Sequence, residues 1–240
     1  MKKIFALLLA GAMVLAFAAC GCDSTPVEDP TDATAEAVQA MTYEESVAAE
    51  LESEVTVETY VQAHQSWWDN KITVYCQSED GAYFLYELAC SEEDAEKLVP
   101  GTKIRVNGFK KEWSGEVEIV DGTFEFVEDG ETYIAEALDV TELLGSEELI
   151  NHQNKLATFK GMTVEGIEYK NGEPGDDIYL TLGYNGASYE FCVEVYLTGE
   201  DSDVYQTVGT LEAGDKVDVE GFLYWYENVN PHITAITVVE

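Results

Sequence analysis

The chain has 240 residues, 48 of them Asp or Glu against 12 Lys or Arg, for a formal net charge of −36 at pH 7. Such a field repels polyanions; it argues against phosphate-driven binding and sets nucleic acid aside as a partner. Acidity of this order often marks disorder, yet 46% hydrophobic and 11% aromatic residues can build cores, which places the charge on the outward faces of folded elements.

In chain order, Lys2 and Lys3 precede an apolar run over residues 4–18, too short to span a bilayer comfortably, which ends in Phe17-Ala18-Ala19-Cys20. Small residues directly before a Cys resemble the lipobox of bacterial lipoproteins, although Phe17 stands where Leu is usual. The resemblance implies that residues 1–20 are a lipoprotein signal peptide and that Cys20 is lipidated, with Cys22 the second choice as acceptor. An ordinary secretory signal with a chance Cys is the alternative. Lipidation would hold the protein on the extracytoplasmic face of the cell membrane, with the lipid anchor its one membrane contact. Removal of Lys2 and Lys3 leaves a formal charge near −38. Residues 21–41, rich in Asp, Thr, Ala, Pro and Glu, read as a disordered tether.

The first domain is expected over residues 42–138. Thr42 with Glu45 forms a capping box that opens a helix to about residue 51. Apolar positions then predict strands over residues 55–68, 72–76 and 83–90, with Asp80-Gly81 as a hairpin turn. Ser91 opens a second short helix to Leu98. Within the stretch 98–109 (LVPGTKIRVNGF) the next strand runs from after Gly101 to Gly108, where a bend or bulge is expected, and Val117, Ile119, Phe124 and Phe126 supply the last. Cys76 and Cys90 do not lie opposite each other on this hairpin, with Cys76 placed across from about residue 85, and with Cys192 they read as buried free thiols.

Residues 139–154 have helical spacing in Leu143, Leu144, Leu149 and Ile150 and are read as a helical connector. The second domain, residues 155–240, repeats the plan. Strands are expected over residues 156–169, 178–182 and 187–197 with an Asn185-Gly186 turn, then a helix over residues 200–211. Residues 211–222 (LEAGDKVDVEGF) repeat the earlier strand 113 residues on, and residues 232–239 close the unit. Duplication of one structural unit accounts for this pattern.

Five strands with a helix between the third and fourth resemble the oligonucleotide/oligosaccharide-binding (OB) fold. The expected fold class is all-β with short helices, as two tandem five-stranded OB-fold barrels. With the lipobox and acidic tether, the chain resembles tandem OB-fold lipoproteins of anaerobic gut bacteria on three further features: Trp67-Trp68-Asp69-Asn70, the two G-x-K-x-x-V-x-G-F strands, and Gly221-Phe-Leu-Tyr-Trp-Tyr226. That resemblance implies a fold and a location and lends no catalytic residue.

OB-fold ligands are expected between the loop joining strands 1 and 2 and the loop joining strands 4 and 5. Trp67, Trp68 and Trp113 fall there in the first domain, and Tyr224, Trp225 and Tyr226 in the second. Flat rings beside carboxylates suit the C–H faces and hydroxyls of carbohydrate, or peptide side chains. The same rings could instead plug the barrel ends or join the domains. Lys103, Arg105, Lys110 and Lys111 read either as an anion patch or as cross-strand partners of Glu116 and Glu118. Glu173, Asp176 and Asp177 are calcium candidates, and no other cofactor or metal is expected. His64, His152 and His232 match no nucleophile motif. The sequence thus predicts a lipid-anchored, non-enzymatic binding or adaptor protein for carbohydrate or a peptide or protein ligand. The alternatives are a structural cell-envelope interaction module and an Asp/Glu-dependent glycan hydrolase, the latter requiring two carboxylates in an aromatic-lined cleft.

Overall fold

The computed structural model describes residues 39–239. The signal-peptide, Cys20 and Cys22 expectations lie outside the described residues, as does nearly all of the tether. No helix among the described residues is long and apolar enough to cross a membrane.

The first barrel opens with α1 (Tyr43–Ala48), whose Thr42 hydroxyl and Glu45 carboxylate form the expected reciprocal capping box. Strands β1 (Glu54–His64), β2 (Lys71–Gln77) and β3 (Ala82–Ala89) follow, then α2 (Glu92–Ala95), β4 (Lys103–Trp113) and β5 (Glu116–Phe126). The strands close in the order β1-β2-β3-β5-β4, with β4 returning to β1. The only parallel pairing in this ring is β3 with β5, Phe84 opposite Glu118 and Leu85 opposite Ile119. Alternating inward residues, among them Val55, Val57, Val74, Leu85, Ile104 and Val106, fill the interior. Each such side chain removed from water contributes ~1.5–3 kcal/mol.

Two short 3₁₀ turns, Thr141–Leu143 and Glu147–His152, stand where one helical connector was expected. Gly145, at φ 80°, separates them, and an L-residue pays for that conformation. Just before them β6 (Leu138–Asp139) runs parallel to β7 (Leu156–Tyr169). The second barrel continues with β8 (Ile178–Tyr184), β9 (Ala187–Val193), α3 (Val195–Thr198), α4 (Asp203–Val208) and β10 (Lys216–Phe222). A small ribbon, β11 (Trp225–Tyr226) with β12 (Asn228–Val229), precedes β13 (His232–Val239). β7 pairs with β8, β8 with β9, β9 in parallel with β13, β13 with β10, and β10 returns to β7. Both halves are OB-fold-like, and the protein is mostly β with a few short helices.

The glycine expected to bend each repeated strand sits at a register shift, between Asn107 and Phe109 in β4 and between Glu220 and Gly221 in β10. The reason is close approach. A Cβ on Gly221 would lie 2.1 Å from the His232 carbonyl oxygen, and one on Gly108 would lie 2.9 Å from that of Val120. Asn185-Gly186 forms the expected two-residue turn, both residues having positive φ, with Tyr184 opposite Ala187.

Several boundaries differ from the sequence expectation. β1 ends at His64, because the next residues turn to the second barrel: Ser66 N–H donates to the Tyr196 carbonyl at 2.7 Å. The expected strand over 187–197 stops at Val193 and gives way to α3, which ends at Gly199 with φ 80°, and the expected helix over 200–211 is the shorter α4. Cys76 lies opposite Tyr83 rather than residue 85, since Gln77 already pairs with Ala82 across the turn. Cys76, Cys90 and Cys192 are buried and free, as expected.

Candidate functional site

The two barrels meet along an aromatic seam. Tyr75 of β2 stacks on Phe222 of β10 at 4.5 Å between centroids, and Phe84 of β3 meets the edge of Tyr224 at 5.1 Å. Tyr224 in turn stacks on His232 at 4.2 Å. All five rings are buried. Polar bonds tie the same seam: Leu156 N–H donates to Gln77 Oε1 at 2.8 Å, and Asn154 Nδ2 donates to the Val117 carbonyl at 3.2 Å.

Beside this seam opens a cleft of about 510 Å³. The first barrel contributes Gln65, Phe84, Tyr86, Glu87 and Trp113. The second contributes Asp177, Glu190, Glu194, Tyr226 and His232. Trp113 ends β4 just before the Ser114-Gly115 turn, where both residues have positive φ, and its ring lies 5.2 Å from that of Tyr226. Glu227 N–H donates to the Ser114 carbonyl at 2.6 Å, so the ribbon carrying Tyr226 is latched to that turn. At the other end a second hollow of about 410 Å³ shares Gln65, Thr73 and Glu87 with the cleft and adds Trp67, Trp68 and Tyr196.

The aromatic candidates therefore divide. Trp68 is 80% exposed, Trp113 52% and Tyr226 48%, and all three border this continuous groove. Tyr224 is a buried floor of the cleft. Trp67 packs on the first core, its Nε1 donating to the Cys90 carbonyl at 2.9 Å, and Trp225 packs on the second. Tyr86 and Tyr196 are exposed rings at the groove that sequence reasoning missed; an isolated Tyr on a strand or short helix carries no signal of its own.

The basic residues are paired mostly with carboxylates other than the expected Glu116 and Glu118; Lys111 alone lies across from Glu118 in register, without an ion pair to it. β5 runs antiparallel to β4, which brings Glu125, not Glu116, across from Arg105. Arg105 binds Glu58 and Glu125, and Lys103 binds Asp129 and Glu131 at 2.6 and 2.8 Å. Lys110 Nζ donates to the carbonyls of Ser46, Val47 and Ala49 at the end of α1. Lys111 reaches only Glu52, at 3.9 Å. The calcium candidates are engaged too. Asp176 and Asp177 flank Lys170 Nζ, Asp177 also accepts from Val195 N–H, and Glu173 points to solvent. No group of His, Cys, Asp and Glu among the described residues is arranged to hold a metal ion.

Three buried titratable groups at the seam escaped the sequence reading of function. Glu116 is fully buried, and burial lifts its carboxyl to about 8 despite N–H donation from Trp225 at 3.0 Å and from Gln153 at 3.2 Å. Its other oxygen, Oε1, has no partner among the described residues. Burial and the charge of Asp177 raise Glu194 to about 7. Burial lowers His232 to about 3, so its ring is neutral. These last two belong to one relay across the seam. Gln65 Nε2 donates to Glu194 at 2.6 Å and to the Tyr75 hydroxyl at 3.4 Å, and that hydroxyl meets His232 Nδ1 at 2.6 Å.

No protein-family model matches the chain, and no curated protein matches it. Solved structures do. A murine DNA-binding protein bound to double-stranded DNA is 13% identical, with 77% of this chain covering 95% of that one at a TM-score of 0.38. The Ifi202 HINa domain in complex with a 20-base-pair duplex is 12% identical, with coverage of 79% and 96% and a TM-score of 0.35. An aspartyl-tRNA synthetase from Entamoeba histolytica is 15% identical, with coverage of 52% and 30% and a TM-score of 0.33. Net charge set nucleic acid aside as a partner; against that expectation, two of these neighbours are complexes with duplex DNA. At these scores the likenesses carry no argument about what this chain binds.

Proposed function

We propose that the protein is a lipid-anchored, non-enzymatic binding or adaptor module at the extracytoplasmic face of the membrane, and that its inter-barrel groove holds a carbohydrate chain. The observation that carries this reading is the row of exposed rings, Trp68 and Tyr196 at one end and Tyr86, Trp113 and Tyr226 at the other, flanking a cleft lined with carboxylates. Water-exposed aromatic faces on a rigid scaffold offer stacking platforms for pyranose rings, and carboxylates between them accept from hydroxyls. The seam holds both walls, so little ordering cost remains to be met on binding.

The test is titration of the purified chain with a panel of oligosaccharides, peptides and duplex DNA, followed by tryptophan fluorescence and melting temperature. Saturable binding of an oligosaccharide, weakened at least about tenfold in Trp113→Ala with an unchanged unliganded melting temperature, supports the reading. Binding of duplex DNA or peptide alone would overturn it.

A further inference from the structure

Resting on that reading, we propose that the cleft selects an amine-bearing glycan, a chain of hexosamine units with free ammonium groups, over its neutral or N-acetylated counterpart. Two independent features point the same way. The residues lining the cleft include four carboxylates, Glu87, Asp177, Glu190 and Glu194, and no Lys or Arg. Glu190 is exposed, and the one side chain donating to it is neutral: Asn230 Nδ2, at 3.0 Å. Glu87 is exposed and paired with Lys71 across β2 and β3, leaving its second oxygen toward solvent. Glu87 and Asp177 are matched by Lys71 and Lys170 at the cleft's edge, so Glu190 carries the charge that a ligand ammonium meets, and the faces of Trp113 and Tyr226 add attraction for a cation.

The second feature is His232, which is 8% exposed and lines the cleft. Its Nδ1 is taken by Tyr75, and its Nε2 has no hydrogen-bond partner among the described residues. The Tyr75 hydroxyl accepts from Gln65 and has Nδ1 as the one acceptor for its own proton among its bonded partners; a ring that accepts there carries its hydrogen on Nε2, on the side free to meet a ligand. The site therefore offers a buried neutral donor beside carboxylate acceptors. A donor wants a hydroxyl or ring oxygen, and the carboxylates want a cation. An amino sugar carries both within one ring, whereas a lysine side chain carries only the second.

Calorimetric titration with glucosamine hexasaccharide and with its N-acetylated form, at low and at high salt, separates the possibilities. The expected result is at least about tenfold tighter binding of the free-amine chain at low salt, with the preference shrinking as salt rises. Glu190→Gln, whose amide oxygen still accepts from Asn230, should reduce that preference several-fold while leaving affinity for the N-acetylated chain in place. Equal affinity for the two chains overturns the selectivity and leaves the glycan groove standing. Binding of oligolysine with neither hexasaccharide overturns both.

Discussion

Glu116→Gln tests whether the seam encloses a carboxyl that must stay protonated. Folding holds that group at about 8 against an ordinary 4.5, so the folded state keeps a proton that the unfolded chain releases. The sign follows from the linkage: the group costs nothing below pH 4.5, and stability falls as pH rises from there until the folded carboxyl itself ionises near 8. At ~1.4 kcal/mol per pH unit, the cost is about 3 kcal/mol at pH 7 and on the order of 5 kcal/mol once pH exceeds 8. Glutamine has the same shape and no proton to lose. Any penalty for its amide beside the unpartnered position is independent of pH, so the informative quantity is the change in the gap between the two proteins. Urea denaturation at pH 5, 7 and 8.5 should show the variant gaining about 2.5 kcal/mol on the parent between pH 5 and 7, and more by pH 8.5. Glu118 and Glu194 titrate in both proteins and cancel. A gap that stays constant across the three pH values would refute the reasoning.

Three further outcomes are expected. Gly221→Ala sets a methyl against the His232 carbonyl and Ile233 Cα, both backbone, and should destabilise the chain by about 3 kcal/mol in chemical denaturation. Trp67→Ala and Trp68→Ala should part company despite adjacency: the first, packed on the core, costs about 3 kcal/mol, and the second, 80% exposed, shifts stability by no more than ~0.5 kcal/mol in the same assay. Lys110→Met removes donors from three carbonyls at the end of α1 and should cost about 1–2 kcal/mol, with faster amide exchange in residues 43–49.

The architecture was legible because its signals are local. Alternation in residues 72–76, the turn residues at 185 and 186, and the repeated G-x-K-x-x-V-x-G-F strand each state a backbone requirement within a dozen positions. Short helices were legible in their starts through Thr42 and Ser91, and not in their ends, which depend on where the chain must turn next. The groove was half legible. Tryptophan marks its two ends, but which rings lie open is decided by the seam, where Tyr224 is covered and Tyr226 is not. Glu116 and His232 were invisible as special residues. One acid among 48 acquires its character only when Trp225 and Gln153 of the other half close over it.

The two copies of the repeat end in the same residue with opposite fates. Phe109 stands 41% exposed, while Phe222 is buried against Tyr75. Each ring of strands closes on itself, so that aromatic side chain is not a requirement of the barrel; in the second copy it serves attachment to the first. The chain is consequently a natural split pair. Severed at the exposed Glu136, ahead of β6, each fragment would keep its own hydrogen-bonded ring and β6 would stay with β7; what is lost is the contact across the seam, including the cover over Tyr75 and Phe84, or over Phe222 and Tyr224. Two such halves mixed in solution would recognise one another through those four rings and rebuild the groove without a peptide bond between them.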